Sequence, residues 1–240
     1  METKTRKNYN DLFIGINKGL PIALGYIPVS FTFGLMMADS GMNVWIIILI
    51  SMTNLTSAGQ FAGAGLIIAN ATLFEITLTT FVINIRYMLM SLSLSQKLVP
   101  GITLLKRSVM AFGITDETFA VASLEKGEIT FPYMAGLVTC PYWGWALGTA
   151  LGALTQSILP DIMRQSMGVA LYGMFIALFV PASKKSKAAL TVVLASVMLS
   201  SAFNWLPLIK QISKGWVIII VTVAASGLGA LLFPRGEEEC

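Results

Sequence analysis

Apolar stretches alternate with short polar punctuation along the whole chain, falling at roughly 12–38, 43–69, 71–95, 103–123, 130–155, 162–181, 188–208 and 215–233. A helix rises 1.5 Å per residue, so about 20 apolar residues cross the ~30 Å hydrocarbon layer of a bilayer. The pattern predicts an all-α polytopic membrane protein with seven or eight transmembrane helices. The run 103–123 decides between the two counts, because Lys106, Arg107, Asp116 and Glu117 lie inside it. Each ionised group at mid-bilayer costs about 2.5–3.5 kcal/mol, so this run crosses only where protein surrounds its polar side. With eight crossings and a cytoplasmic start, the loop holding Lys184, Lys185 and Lys187 lies inside, as topogenic positive charge prefers. Lys97, Lys106 and Arg107 then fall near the outside, which works against the same rule.

Two of the runs are interrupted in a way that plain anchor helices are not. The first holds Pro21, Gly25 and Pro28, and the second holds the small and polar stretch NLTSAGQFAGAG from Asn54 to Gly65. Both read as discontinuous helices. Non-helical backbone at membrane depth survives only where it is buried in protein or lines a wet cavity, since an unsatisfied peptide group in hydrocarbon costs several kcal/mol. A cavity near the midplane is the expectation. A faint internal echo links the order 12–38, 43–69, 71–95 to 130–155, 162–181, 188–208, with Asn84 and Asn204 late in the third members. Repeats of this kind are how secondary transporters build alternating access.

Composition narrows the function classes. Of 240 residues, 55% are hydrophobic and 12% charged, with a mean hydropathy of +0.76; a soluble domain carries about twice that share of charge. The crossings leave no length for a soluble catalytic module, so residues 1–240 read as one integral membrane domain. The basic start METKTRKNYN precedes a retained first span and not a cleaved signal. Histidine is absent, and Cys140 and Cys240 are too few and too far apart for a zinc cluster or a disulfide framework. No nucleotide-binding or metalloprotease motif occurs, which leaves no metal, no cofactor and no ATP-driven transport by this chain alone. The net charge of +4 is scattered among loops, which suits lipid headgroups better than nucleic acid.

The membrane-depth charges are the candidate chemistry. Glu75 and Arg86 lie eleven residues apart, about three helical turns and 16 Å, so they share a face without touching. Glu75 reads as a first-turn acid favoured by the helix dipole. Arg86, in the middle of its run, needs a partner from another helix. Asp116 and Glu117 point about 100° apart, so one at most faces a given cavity squarely, and Thr115 caps the helix after it or bonds to its own preceding turn. A neighbouring pair does not straddle a scissile bond, so these carboxylates do not make an enzyme. Asp161 and Arg164 read as loop charges. Gly15 with Gly19, Gly59 with Gly63, and Gly144, Gly148 and Gly152 are small-xxx-small series that let backbones approach. The aromatic residues of PYWGW suit an interfacial belt.

GYIPVSFTFG at 25–34, SAGQF at 57–61, NIRY at 84–87 and TDE at 115–117, in this order, resemble the AzlC family, the larger subunits of bacterial branched-chain amino acid exporters. The resemblance implies a permease of the bacterial cytoplasmic membrane that exports leucine, isoleucine, valine or similar amino acids beside a small hydrophobic AzlD-type partner. It carries the family's characteristic positions onto Pro28, Gln60, Asn84, Arg86, Asp116 and Glu117. Tyr87 stands where family members often have histidine, which leaves carboxylates as the proton carriers. A zwitterionic substrate needs an anion-seeking element, met by Arg86 or a broken-helix N-terminus. It also needs an ammonium-seeking one, met by Asp116, Glu117 or freed carbonyls. Phe31, Phe33 and Phe61 are candidates for its apolar side chain. The competing readings are an uncoupled channel-like permease and an accessory subunit without a site of its own.

Overall fold

The structure is a computed structural model and describes residues 2–160, 186–205 and 212–233, with isolated positions between 162 and 184, and side chains from Asn10 onward. Nine helices are present among them: α1 (Glu2–Asp39), α2 (Val44–Thr53), α3 (Ala58–Ile68), α4 (Leu73–Ser95), α5 (Leu104–Phe112), α6 (Asp116–Ser123), α7 (Phe131–Thr155), α8 (Lys187–Trp205) and α9 (Lys214–Leu232). The chain is all-helical, and stretches of α1, α4, α8 and α9 are long and apolar enough to cross a membrane. Asp161, Arg164, Lys185, Cys240 and most of the run 162–181 lie outside the described residues. The chain divides into two compact units, residues 1–60 with 84–170 and residues 61–83 with 171–240.

The first unit is built on α1 and α7. Glycines cut the facing ridges down so that the two backbones meet. A Cβ at Gly15 or Gly19 would overlap the carbonyl oxygen of Tyr133 or Leu137, and one at Gly34 that of Thr149. Reciprocally, a Cβ at Gly136, Gly148 or Gly152 would overlap the carbonyl oxygen of Leu12, Ile27 or Phe31. The pairing runs upward in both sequences together, so α1 and α7 are parallel. Their packing is the role expected of these glycine series.

Contrary to the sequence expectation, α1 is continuous through Pro21 and Pro28. Each proline removes one ladder bond. Hydroxyls nearby take up carbonyls around the second proline: Ser30 donates to the Tyr26 carbonyl at 2.9 Å and Thr32 to that of Pro28 at 3.1 Å. The second run is broken as expected, between α2 and α3, and a further break at 113–115 splits the run 103–123 into α5 and α6.

That run is not a single crossing helix. Residues of α5 and of the end of α4, among them Arg107, Met110, Leu94 and Leu98, line one shared groove. The last turn of α6 then comes back to where α4 ended: Lys97 donates to the carbonyls of Ser123 and Glu125, and Ile129 N to the Lys97 carbonyl at 2.7 Å. Lys18 pairs there with Glu125, which also accepts from Tyr133 at 2.8 Å, and Thr130 donates to Asp11 at 2.8 Å. The ends of α4 and α6 and the starts of α1 and α7 therefore share one end of the unit. The hydrogen bond from Lys18, with that from Tyr133, holds the Glu125 carboxyl below its usual pKa.

In the second unit, α8 and α9 pack as a pair, with Gly229 against Val192. Glu75, read from sequence as an exposed first-turn acid, is 5% exposed. It accepts from the Ser213 hydroxyl and from the backbone N–H of Gly215 at 3.0 Å, so a carboxylate of α4 caps the N-terminus of α9. Thr79, one turn further along, is fully buried, and its hydroxyl has no partner among the described residues. Asn84 is half-buried, whereas Asn204, its counterpart in the internal echo, is exposed and donates to the Ser200 carbonyl at 3.1 Å.

Candidate functional site

The two helix breaks of the first unit carry the polar side chains. At the α2–α3 break the backbone leaves helical geometry at Asn54, and Ser57 has φ 42°, a left-handed conformation that non-glycine residues seldom adopt. The chain turns back so that Gln60 reaches Ser51 nine positions earlier, donating to its hydroxyl at 2.7 Å. Gln60 Oε1 accepts from the Trp145 indole at 3.0 Å, and Ser51 Oγ lies 2.8 Å from Thr149 Oγ1. Both ends of the Gln60 amide are thus met while the residue is 2% exposed, which burial of such a group requires. Tyr142 donates to the Met52 carbonyl at 3.1 Å, taking up one freed end of α2. The expectation of an interfacial belt therefore fails for Trp145, which is fully buried, although Trp143 of the same motif is exposed.

At the second break, Thr115 caps α6. Its hydroxyl accepts from Thr118 N at 3.2 Å while the Thr118 hydroxyl accepts from Thr115 N at 2.8 Å. Asp116 and Glu117 then occupy the first turn, where unpaired N–H groups favour negative charge. The two acids diverge as their spacing demands. Glu117 accepts from the Tyr26 hydroxyl of α1 at 2.5 Å, and Asp116 pairs with Arg86 of α4 at 2.9 Å.

Arg86 is thereby matched from another helix. Its Nη2 also donates to the Tyr87 hydroxyl at 3.3 Å, and that hydroxyl donates to the Thr56 carbonyl at the α2–α3 break, 3.1 Å away. The guanidinium carbon stands 5.1 Å from the Tyr87 ring centre, within cation–π range. Asn84 is packed against Gly59 and Thr56 of the same break, because a Cβ at Gly59 would meet the Asn84 amide and Thr56 Oγ1. Two buried atoms here have no hydrogen-bond partner among the described residues, Asn84 Oδ1 and Arg86 Nε. One is an acceptor and the other a donor.

The structure thus gathers Asn84, Arg86, Asp116 and Glu117 around the two breaks. Gln60 joins them along a second thread, Thr149–Ser51–Gln60–Trp145, which meets Tyr26 edge-on with ring centres 5.3 Å apart. Pro28 stands apart, exposed on α1. Of the aromatic residues assigned to a greasy pocket, Phe33 and Phe61 are buried and Phe31 is half-buried. A separate apolar cavity of about 230 Å³ lies between α5 and α7, lined by Met110, Phe112, Met134, Val138 and Tyr142, and no charged side chain lines it. Sequence reasoning missed Tyr26, Ser51, Trp145, Thr149 and the bonding of Tyr87. The usable signal was Trp145, because a buried indole N–H needs an acceptor and Gln60 is a membrane-depth amide.

Comparison with known proteins finds membrane proteins similar over most of the chain. The inner membrane protein YgaZ of Escherichia coli is 29% identical over 190 residues, covering 76% of this chain and 77% of that one. A membrane protein of Archaeoglobus fulgidus is 33% identical over 169 residues, covering 70% of this chain and 74% of its own, and one of Helicobacter pylori is 28% identical over 172 residues, covering 70% of this chain and 73% of its own. No solved structure matches the chain. The family described as AzlC protein matches residues 21–159, a segment that contains α2 to α7 and every ionic residue of the two breaks, and the chain belongs to that family.

Proposed function

We propose that this chain is a secondary-active exporter of branched-chain or similar apolar amino acids, working in the bacterial cytoplasmic membrane with its N-terminus inside. The observation that carries the reading is the Arg86–Asp116 pair, placed about 14 Å along α4 from its Ser95 end and in contact with two broken helices. Charge at membrane depth is expensive and marks ion or substrate pathways by default, and a broken helix offers free N–H and carbonyl groups to a zwitterion. Arg86 takes the substrate carboxylate, Asn84 and Gln60 border the site, and Asp116 or Glu117 carries the coupled proton. A small hydrophobic AzlD-like subunit completes the transporter.

The same reading sets the topology. In it, α5 and α6 form a re-entrant pair that enters and leaves on the cytoplasmic side, and α2 and α3 turn back at their own break. Among the described residues the crossings are then α1, α4, α7, α8 and α9. The return of α6 to Lys97 supports this arrangement, since Lys97 then lies beside Glu125 and its partner Lys18 of α1, on the side the positive-inside rule wants for basic residues.

Uptake of labelled leucine into inside-out vesicles containing the chain, alone and with an AzlD-like partner, tests the function. Accumulation above the substrate gradient, abolished when the pH gradient is collapsed, is expected. Flux that follows the leucine gradient alone would make the chain an uncoupled permease.

A further inference from the structure

A guanidinium presents two usable edges, and in Arg86 they are unequally satisfied. Asp116 Oδ2 sits at 2.9 Å on Nη1, a single-point contact. The other edge, formed by Nε–H and the adjoining Nη2–H, is the side-on fork that receives carboxylates in two parallel hydrogen bonds. Here Nε is buried without a partner among the described residues, and Nη2 has only the long 3.3 Å contact to Tyr87. A buried N–H left unmet is costly, so its persistence calls for an explanation. The Tyr87 hydroxyl that half-fills the fork is itself committed to the Thr56 carbonyl at the α2–α3 break.

We propose that the Nε–Nη2 edge of Arg86 is the seat of a ligand carboxylate, and that the Tyr87 hydroxyl is the latch that yields to admit it. Asp116 stays on Nη1, where it orients the guanidinium and balances its charge. A carboxylate entering the fork gives Nε the partner it lacks and takes the acceptor position on Nη2 from Tyr87 Oη. The hydroxyl then turns away, and the Thr56 carbonyl loses the bond that ties the break to α4. Filling the fork and loosening the break are thus one event, and Tyr87 becomes the residue through which substrate reports its arrival to the α2–α3 hairpin. This rests on the transport reading for the identity of the ligand, but the fork itself requires only a carboxylate.

The test measures binding to the purified full-length chain with three probes: L-leucine, 4-methylpentanoate, which lacks the ammonium, and 3-methylbutylamine, which lacks the carboxylate. Tyr87→Phe keeps the ring over Arg86 and removes the hydroxyl, and is expected to tighten leucine and 4-methylpentanoate about fivefold while leaving 3-methylbutylamine unchanged. Arg86→Lys keeps the charge and removes the fork, and is expected to weaken both carboxylates at least tenfold and the amine not at all. If Asp116→Asn tightens the carboxylates and Tyr87→Phe does not, the ligand displaces Asp116 and the latch assignment is wrong. Equal leucine affinity in wild type and Arg86→Lys, with transport intact, overturns the fork and leaves the exporter reading standing. Binding of 4-methylpentanoate that depends on Arg86, without binding or movement of leucine, upholds the fork and overturns the amino acid assignment.

Discussion

At the scale of single residues, the polar groups at membrane depth are governed by one requirement, that a buried donor or acceptor finds a partner. Glu75 shows it without any ionic partner in view: its carboxylate sits where the first N–H groups of α9 point, so Ser213 and Gly215 supply what water would. Glu75→Ala leaves the buried Gly215 N–H unmet, and is expected to cost about 1–3 kcal/mol, read as a lowered thermal unfolding midpoint in detergent, whereas Glu75→Gln keeps an acceptor and loses less. Glu125 lies outside the spans and obeys a different logic. Its pKa is depressed in the folded chain, chiefly by the hydrogen bond from Lys18. A depressed acid stabilises above its unfolded value and loses that contribution as pH falls through its folded one, so the stability at stake disappears on the acid side, below about pH 4. A pH series of melting temperatures should show a steeper acid limb for wild type than for Glu125→Gln. The exposure of Lys18 and Glu125 keeps the effect small and salt-sensitive.

At the scale of elements, sequence period located the helices well and misjudged how they bend. The glycine series of α1 and α7 were readable because the spacing itself is the packing device, and the structure uses Gly15, Gly19, Gly148 and Gly152 in that way. Gly148→Val places branched bulk against the Ile27 carbonyl and the Ser30 hydroxyl. It is expected to destabilise by about 3 kcal/mol or more, seen as loss of folded protein at the membrane, while Gly25→Val, at a position with open space, is tolerated. The break between α2 and α3 was read correctly from its small and polar residues, and the rest were harder to place. Pro21 and Pro28 looked like interruptions, yet α1 runs through both and packs along α7. The run 103–123 was left open as a crossing, and it is broken, because Gly113 and the capping pair Thr115–Thr118 end one helix and start another. Thr115 was legible as a cap, but Thr stands in place of the usual acid at the third position of the box, so the reciprocal bond from Thr118 was not.

At the scale of the whole molecule, the reversal at 113–115 changes where charge lies. A continuous 103–123 span would carry Lys97 and Lys126 to opposite sides of the membrane. In the structure both belong to the end of the first unit where α1 and α7 begin. Single cysteines introduced at Lys97 and Lys126, in a background without Cys140 and Cys240, should both react from the cytoplasmic side only. Reaction from opposite sides would restore the continuous span. Of the candidate site, the ionic residues were legible because charge is conspicuous in an apolar chain, and Arg86 was bound to have a partner from elsewhere. What sequence could not give was the neutral scaffold of Ser51, Tyr26, Trp145 and Thr149, since hydroxyls and indoles at membrane depth are common and only their convergence marks them.

The account stands on the claim that Arg86 handles substrate and is not a structural ion-pair member alone. The direct measurement is leucine transport by proteoliposomes containing wild type, Arg86→Gln, and the double variant Arg86→Gln with Asp116→Asn, which removes the pair without leaving an unpaired charge. Loss of transport in both variants, with the double variant as stable as wild type, is the predicted result. Recovery of transport in the double variant would show that only charge balance at this position matters, and would contradict a substrate-binding role for the guanidinium.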